Sequence, residues 1–125
     1  TMNNHKESKA VRAVMENYMK GTYEADEALL KSVFHEKAIM NGFLGSQTVL
    51  ADPSAFIADM MSAPSMKSQG DAYQAEIEQI RIDGDIAFVT VSETGFRGSG
   101  KLVDHFHLIK LDGEWKVISK LFTTV

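Results

Sequence analysis

The spacing of hydrophobic and polar positions changes once along the chain, near residue 70. Before that point Val11, Val14, Met15, Tyr18 and Met19 recur on one face of a helix, so residues 7–20 are predicted to form an amphipathic helix, with Gly21 as its stop. Asp26 can cap a second short helix whose Leu29, Leu30, Val33 and Phe34 turn inward and whose end falls near His35-Glu36-Lys37. Residues 38–41 read as a short strand, and Gly42 and Gly45 bracket a turn. Asp52-Pro53 marks a helix start, aspartate as N-cap and proline at the first helical position, ahead of Phe56, Ile57, Met60 and Met61; Pro64 ends it.

From Tyr73 to Val125 the pattern alternates β-branched and aromatic residues with polar ones, broken at Asp83-Gly84, Gly98-Ser99-Gly100 and Asp112-Gly113. Asp-Gly tolerates the positive φ of tight hairpins, so four strands joined by three hairpins are predicted. Helices first and a meander after is an α+β layout. The 125 residues are enough for one hydrophobic core and too few for two, so residues 1–125 are expected to be a single domain.

Counting outward from an Asp112-Gly113 turn pairs Leu108 with Val117, Phe106 with Ser119 and Asp104 with Leu121. One face then carries Asp104, Phe106, Leu108, Trp115, Val117 and Leu121. The other carries Val103, His105, His107, Ile109, Ile118, Lys120 and Phe122. The first face is apolar except for one carboxylate and is expected to pack on the helices.

Asp104 is therefore a candidate general acid or base. It can equally be a structural carboxylate at a strand end, bonded by backbone, a tyrosine or Lys120. His105 and His107 project from one side of a strand, as metal ligands can; a third ligand would have to come from His35 or Glu93, no spacing rule links them, and no metal site is expected. His35 is either a pocket base or a cation at a helix C-terminus. Tyr18 either aims its hydroxyl into a cavity or is a core aromatic. The methionines suggest a deformable lining and fit plain core as well.

Composition narrows the classes. A net charge of −4 with both signs interspersed gives no stripe for nucleic-acid phosphates, and the apolar runs are too short to span a membrane. The absence of cysteine excludes disulfides, a thiolate nucleophile and zinc–thiolate sites, and it fits a reducing cytoplasm. The start, Thr1-Met2-Asn3-Asn4-His5-Lys6, lacks the apolar region of an export signal, so a cytoplasmic location is expected. No G-x-S-x-G, P-loop, G-x-G-x-x-G or H-E-x-x-H occurs, Gly95–Gly100 reads as a flexible hairpin, and no cofactor is expected.

Three segments carry a resemblance: Val14-Met15-Glu16-Asn17-Tyr18-Met19-Lys20-Gly21, Leu30-Lys31-Ser32-Val33-Phe34-His35-Glu36-Lys37-Ala38, and the hairpin from Asp104 through Asp112-Gly113-Glu114-Trp115-Lys116-Val117 to Lys120. Together they make the chain resemble the nuclear transport factor 2-like superfamily over nearly its full length, most closely the SnoaL-like and "putative lumazine-binding" branch. The resemblance implies a cone-shaped α+β fold, with helices closing the concave side of a strongly curved antiparallel sheet and a pocket between them. It also implies a homodimer through the outer sheet face. The superfamily includes ketosteroid isomerases, polyketide cyclases, dehydratases, binding proteins and interaction modules, so fold alone does not choose among them. By analogy with the isomerases, Asp104 and Tyr18 would supply a pocket acid and a donor, while no residue matches those enzymes' separate base.

Three readings follow. The first is a binding protein for a small apolar or aromatic molecule, its pocket lined by Tyr18, Phe34, Met40, Phe56, Met60, Asp104 and Phe106. The second is a cyclase, isomerase or dehydratase, with Asp104, Tyr18 and His35 as catalytic candidates and Asp104 as the acid/base. The third is a dimeric interaction module without catalysis.

Overall fold

The computed structural model describes residues 2–125, with side chains from residue 4 onward; the first residues of the stretch inspected for an export signal lie outside the described side chains. Helix α1 spans Met2–Glu24 and buries the stripe Val11, Met15, Tyr18 and Thr22. It runs through Gly21 instead of stopping there. A Cβ at Gly21 would stand 2.9 Å from Leu30 Cγ, so this glycine lets the next helix pack closely. The stop falls at Ala25, which takes the left-handed conformation with φ 52°, while the Asp26 N–H donates to Gly21 O at 3.0 Å.

Asp26 then caps α2, Glu27–Val33, accepting from the Leu29 N–H. This helix ends earlier than expected, and Phe34 already opens a long strand, β1, Phe34–Leu44. Gly42 lies inside β1, where a Cβ would come within 1.9 Å of the Phe122 carbonyl oxygen; the close approach of a neighbouring strand, not a turn, requires glycine there. The turn is at residues 45–46 and leads to β2, Gln47–Ala51. Helix α3, Pro53–Met61, begins as predicted, with Asp52 accepting from the Ser54 N–H and Phe56, Ile57 and Met60 buried. A one-turn helix, α4, Met66–Gln69, follows.

The second half is the predicted meander: β3 Gln74–Asp83, β4 Ile86–Phe96, β5 Gly100–Leu111 and β6 Glu114–Thr124. The six strands form one curved sheet in the order β2-β1-β6-β5-β4-β3, antiparallel throughout except for the β1–β6 pair. The helices cover the concave face and Val11, Met15, Tyr18, Val89, Val91, Phe106, Leu108 and Val117 fill the core between the layers. Glu7 pins α1 to the last hairpin, accepting from Lys110 Nζ and Trp115 Nε1, each at 2.6 Å. These two hydrogen bonds hold the Glu7 carboxyl below its ordinary pKa.

The β5–β6 register obeys the turn only for its first few pairs. Leu111 faces Glu114 and Leu108 faces Val117 as counted, but His107 then faces Ser119, so Ile118 is an extra residue. Beyond this bulge Phe106 pairs with Lys120 and Asp104 with Phe122. The alternation of β6 is thereby inverted: Lys120 and Phe122, expected outside, are buried inside, and Leu121, expected inside, is 54% exposed.

Candidate functional site

The inward face of the sheet carries an unusual number of ionisable groups. Asp104, Glu93 and Lys120 are 0%, 3% and 4% exposed, and Tyr18 is buried among them. Tyr18 comes from the inner stripe of α1, Glu93 from β4, Asp104 from β5 and Lys120 from β6 beyond its bulge. Val91 pairs with Asp104 and Glu93 with Leu102, so the two carboxyls are diagonal neighbours on one face.

Their hydrogen bonds form a chain. Lys120 Nζ donates to Tyr18 Oη at 2.7 Å, and Tyr18 donates in turn to Asp104 Oδ2 at 3.4 Å. At the far end the Tyr73 hydroxyl donates to Glu93 Oε2. Asp104 Oδ1 is buried without a hydrogen-bond partner among the described residues, and the Asp104 carboxyl acts on its neighbour Glu93. The upward pKa shift falls on Glu93. Burial raises its pKa most, the hydrogen bond with Asp104 and that carboxylate's charge add to the rise, and Lys120 and the Tyr73 bond oppose it. Lys120 and Asp104 are thus joined through the Tyr18 hydroxyl, with the Glu93 carboxyl as Asp104's neighbour. Tyr18 and Tyr73 are themselves pushed far up by burial and the nearby carboxylates, so both remain donors.

This cluster borders a cavity of about 260 Å³ between α1, α3 and the β1, β2 and β6 side of the sheet. Tyr18, Glu93 and Lys120 line it together with apolar groups from Met40, Val49, Phe56, Leu102 and Phe122. Lys120 stands over the rings of Phe56, Tyr18 and Phe122 at 4.3, 5.0 and 5.2 Å from their centroids. At the mouth, Arg97 of the β4–β5 turn meets Asp59 of α3 in an ion pair of 3.1 Å and also donates to its carbonyl at 3.0 Å.

Of the residues singled out in the sequence, Tyr18, Met40 and Phe56 line this cavity, and Asp104 lies behind them, in contact with Tyr18 and Glu93. Phe106 and Phe34 back Tyr18, their rings edge-on to it at 4.9 and 6.3 Å. Met60 is buried, with its sulfur 3.8 Å from an Arg97 nitrogen. His35 is not brought to the cluster. It sits on β1, accepts from the Lys37 N–H at Nδ1, and borders a separate open groove of about 470 Å³ with Glu27, Lys31 and Asp52. His105 and His107 project from the convex face against Phe88, and among the described residues no three His, Asp or Glu side chains come together as metal ligands. Nor does any helix among the described residues have the length and apolarity to cross a membrane.

The sequence profile of the family described as "Putative lumazine-binding" matches residues 6–123. The chain belongs to this family. Its fold is that of nuclear transport factor 2-like proteins of unknown function. The structure from Shewanella baltica superposes with a TM-score of 0.84 at 24% identity, covering 96% of this chain and 94% of that one. The Silicibacter pomeroyi structure gives 0.85 at 22%, covering 100% and 99%. The Methylobacillus flagellatus structure gives 0.82 at 24%, covering 96% and 93%. No curated protein matches the chain significantly.

Sequence reasoning placed two polar groups of this family member's cluster, Asp104 and Tyr18, and missed the role of the others. Glu93 had a readable signal: it continues the inward phase of Ala87, Val89 and Val91, so a carboxylate follows three core positions on β4. Lys120, named only as a possible partner of Asp104 and placed on the outer face, turns inward through the bulge at Ile118.

Proposed function

We propose that this protein binds a small, largely apolar or aromatic molecule in the cavity between its helices and sheet. One observation carries the reading: a cavity of about 260 Å³ whose largely apolar lining includes the buried polar groups of Tyr18, Glu93 and Lys120. Pockets of drug-sized ligands span roughly 300–1,000 Å³, so the occupant is small. The family's description makes lumazine, a flat bicyclic, the natural first probe. The reading is tested by native mass spectrometry of the purified protein, extraction under denaturing conditions, and titration with lumazine. A retained metabolite or saturable lumazine binding is expected; a ligand-free protein that binds neither lumazine nor other small aromatics would overturn it.

A second reading, a cyclase, isomerase or dehydratase with Asp104 as the acid/base, is favoured by the raised pKa of Glu93. Glu93 borders the cavity and bonds Asp104, so a proton exchanged between Asp104 and a bound carbonyl compound would pass by way of Glu93, with Tyr18 beside it. Turnover of the retained ligand separates catalysis from binding. The exposed Ile39, Phe43 and Leu121 on the convex face support a homodimer through that surface. The same surface would serve a non-catalytic interaction module, the reading left if the cavity takes no ligand.

A further inference from the structure

Lys120 is a buried ammonium with spare capacity. Of its three N–H donors, one bonds Tyr18 at 2.7 Å. The rest of its surroundings are ring faces, and among the described residues no carboxylate oxygen lies within 4.0 Å of it. Asp104 answers its charge only through the Tyr18 hydroxyl. Ring faces are a partial substitute for water and leave the remaining N–H groups without an acceptor.

The other charged groups near the cavity are already engaged. Arg97 at the mouth is held by Asp59, and Asp104 lies behind the wall. Glu93, on the wall, is 3% exposed, and burial above all, with Asp104 adding to it, raises its pKa and so favours the form that does not repel an anion. The unsatisfied charge facing the cavity is therefore positive.

We infer that the cavity selects a small organic monoanion, a carboxylate on a flat or apolar body, whose anionic oxygen accepts from the free N–H groups of Lys120 while its body lies against Phe56, Phe122, Met40 and Val49. This rests on the ligand-binding reading and narrows it by charge. A cation of the same shape is excluded by Lys120, and a neutral isostere binds without the charge-assisted bond.

The test compares benzoate and 2-naphthoate with the neutral benzamide and 2-naphthamide, by calorimetry and by the methyl NMR signals of Met40 and Met60. The intact protein is expected to bind each carboxylate about tenfold or more tightly than its amide, a difference of one power of ten in Kd. Lys120→Met should bind carboxylate and amide equally, and Lys120→Arg should keep the preference. Equal affinity for carboxylate and amide in the intact protein would overturn the inference about charge and leave the ligand-binding reading standing. No methyl shift with either probe would overturn both. The comparison on the intact protein decides the matter even if Lys120→Met fails to fold.

Discussion

Asp104 and His105 are adjacent in sequence and belong to different chemical worlds. On the concave side, Asp104 has no exposure, Tyr18 donates to its Oδ2, and its Oδ1 has no partner among the described residues. On the convex side, His105 is exposed and rests tilted against the Phe88 ring at 5.6 Å. Water solvates the second residue, so little depends on its partners. The first has exchanged water for the Tyr18 hydroxyl, so removing either partner strands the other. The same contrast separates the two hollows of the molecule. The open groove beside His35 is larger, about 470 Å³, yet its lysine, histidine and carboxylates sit where water reaches them. The cavity of about 260 Å³ is smaller, and its Tyr18, Glu93 and Lys120 are buried.

The contrast can be broken most sharply by alanine at the two neighbouring positions. Asp104→Ala strands the buried Lys120–Tyr18 unit and takes the acceptor from Glu93, so a loss of about 3–5 kcal/mol in unfolding free energy by denaturant titration is expected. His105→Ala, one residue on, should stay within about 0.5 kcal/mol. Similar losses at both positions would dissolve the distinction between the faces.

A second experiment sharpens the inner face through pH. Glu93 has an ordinary value of 4.5, raised in the fold by burial, with Asp104 adding to the rise and Lys120 and Tyr73 opposing it. Below that ordinary value the group is protonated in both states and its contribution is fully present. Above it the unfolded chain releases the proton that the folded chain keeps, so stability falls as pH rises, by about 1.4 kcal/mol per unit, until the folded group ionises. Glu93→Gln keeps a donor for Asp104 and an acceptor for Tyr73 but never ionises. The variant is expected to gain on the parent progressively as unfolding is measured from pH 5 to pH 8. Parallel pH dependences would mean that burial does not hold a proton on Glu93.

The smallest effect on folding is expected on the convex face. Leu121→Glu should change the stability of a single chain by no more than about 0.5 kcal/mol, since the side chain is more than half exposed. Light scattering should nevertheless show a dimer giving way to a monomer if the proposed outer-face dimer forms. An unchanged assembly would place any interface elsewhere.

How much of this was legible in the chain differs between the elements. The α3 start at Asp52-Pro53 and the meander after Tyr73 follow from local chemistry, N-capping and tight-turn residues, and both stand in the structure. Gly21 and Gly42 misled because each is required by a neighbour distant along the chain, Leu30 in one case and the Phe122 backbone in the other, whereas a lone glycine reads locally as a break. Once β1 is recognised as eleven residues long, His35 belongs to a strand bordering the groove and not to a helix end near the pocket.

By itself, then, the sequence determined the order of helices and strands, the inward phase of β5 that buries Asp104, and the inner stripe of α1 that brings Tyr18 beneath the sheet, because periodicity and capping act over a few residues. Only the tertiary structure decided that Lys120 faces inward, that burial and Asp104 push the Glu93 carboxyl up, and that a cavity opens beside them. A one-residue bulge inverts the faces of a strand, and burial together with a neighbouring charge sets where a proton resides. Both arise from packing between segments far apart in the chain, which no local pattern encodes.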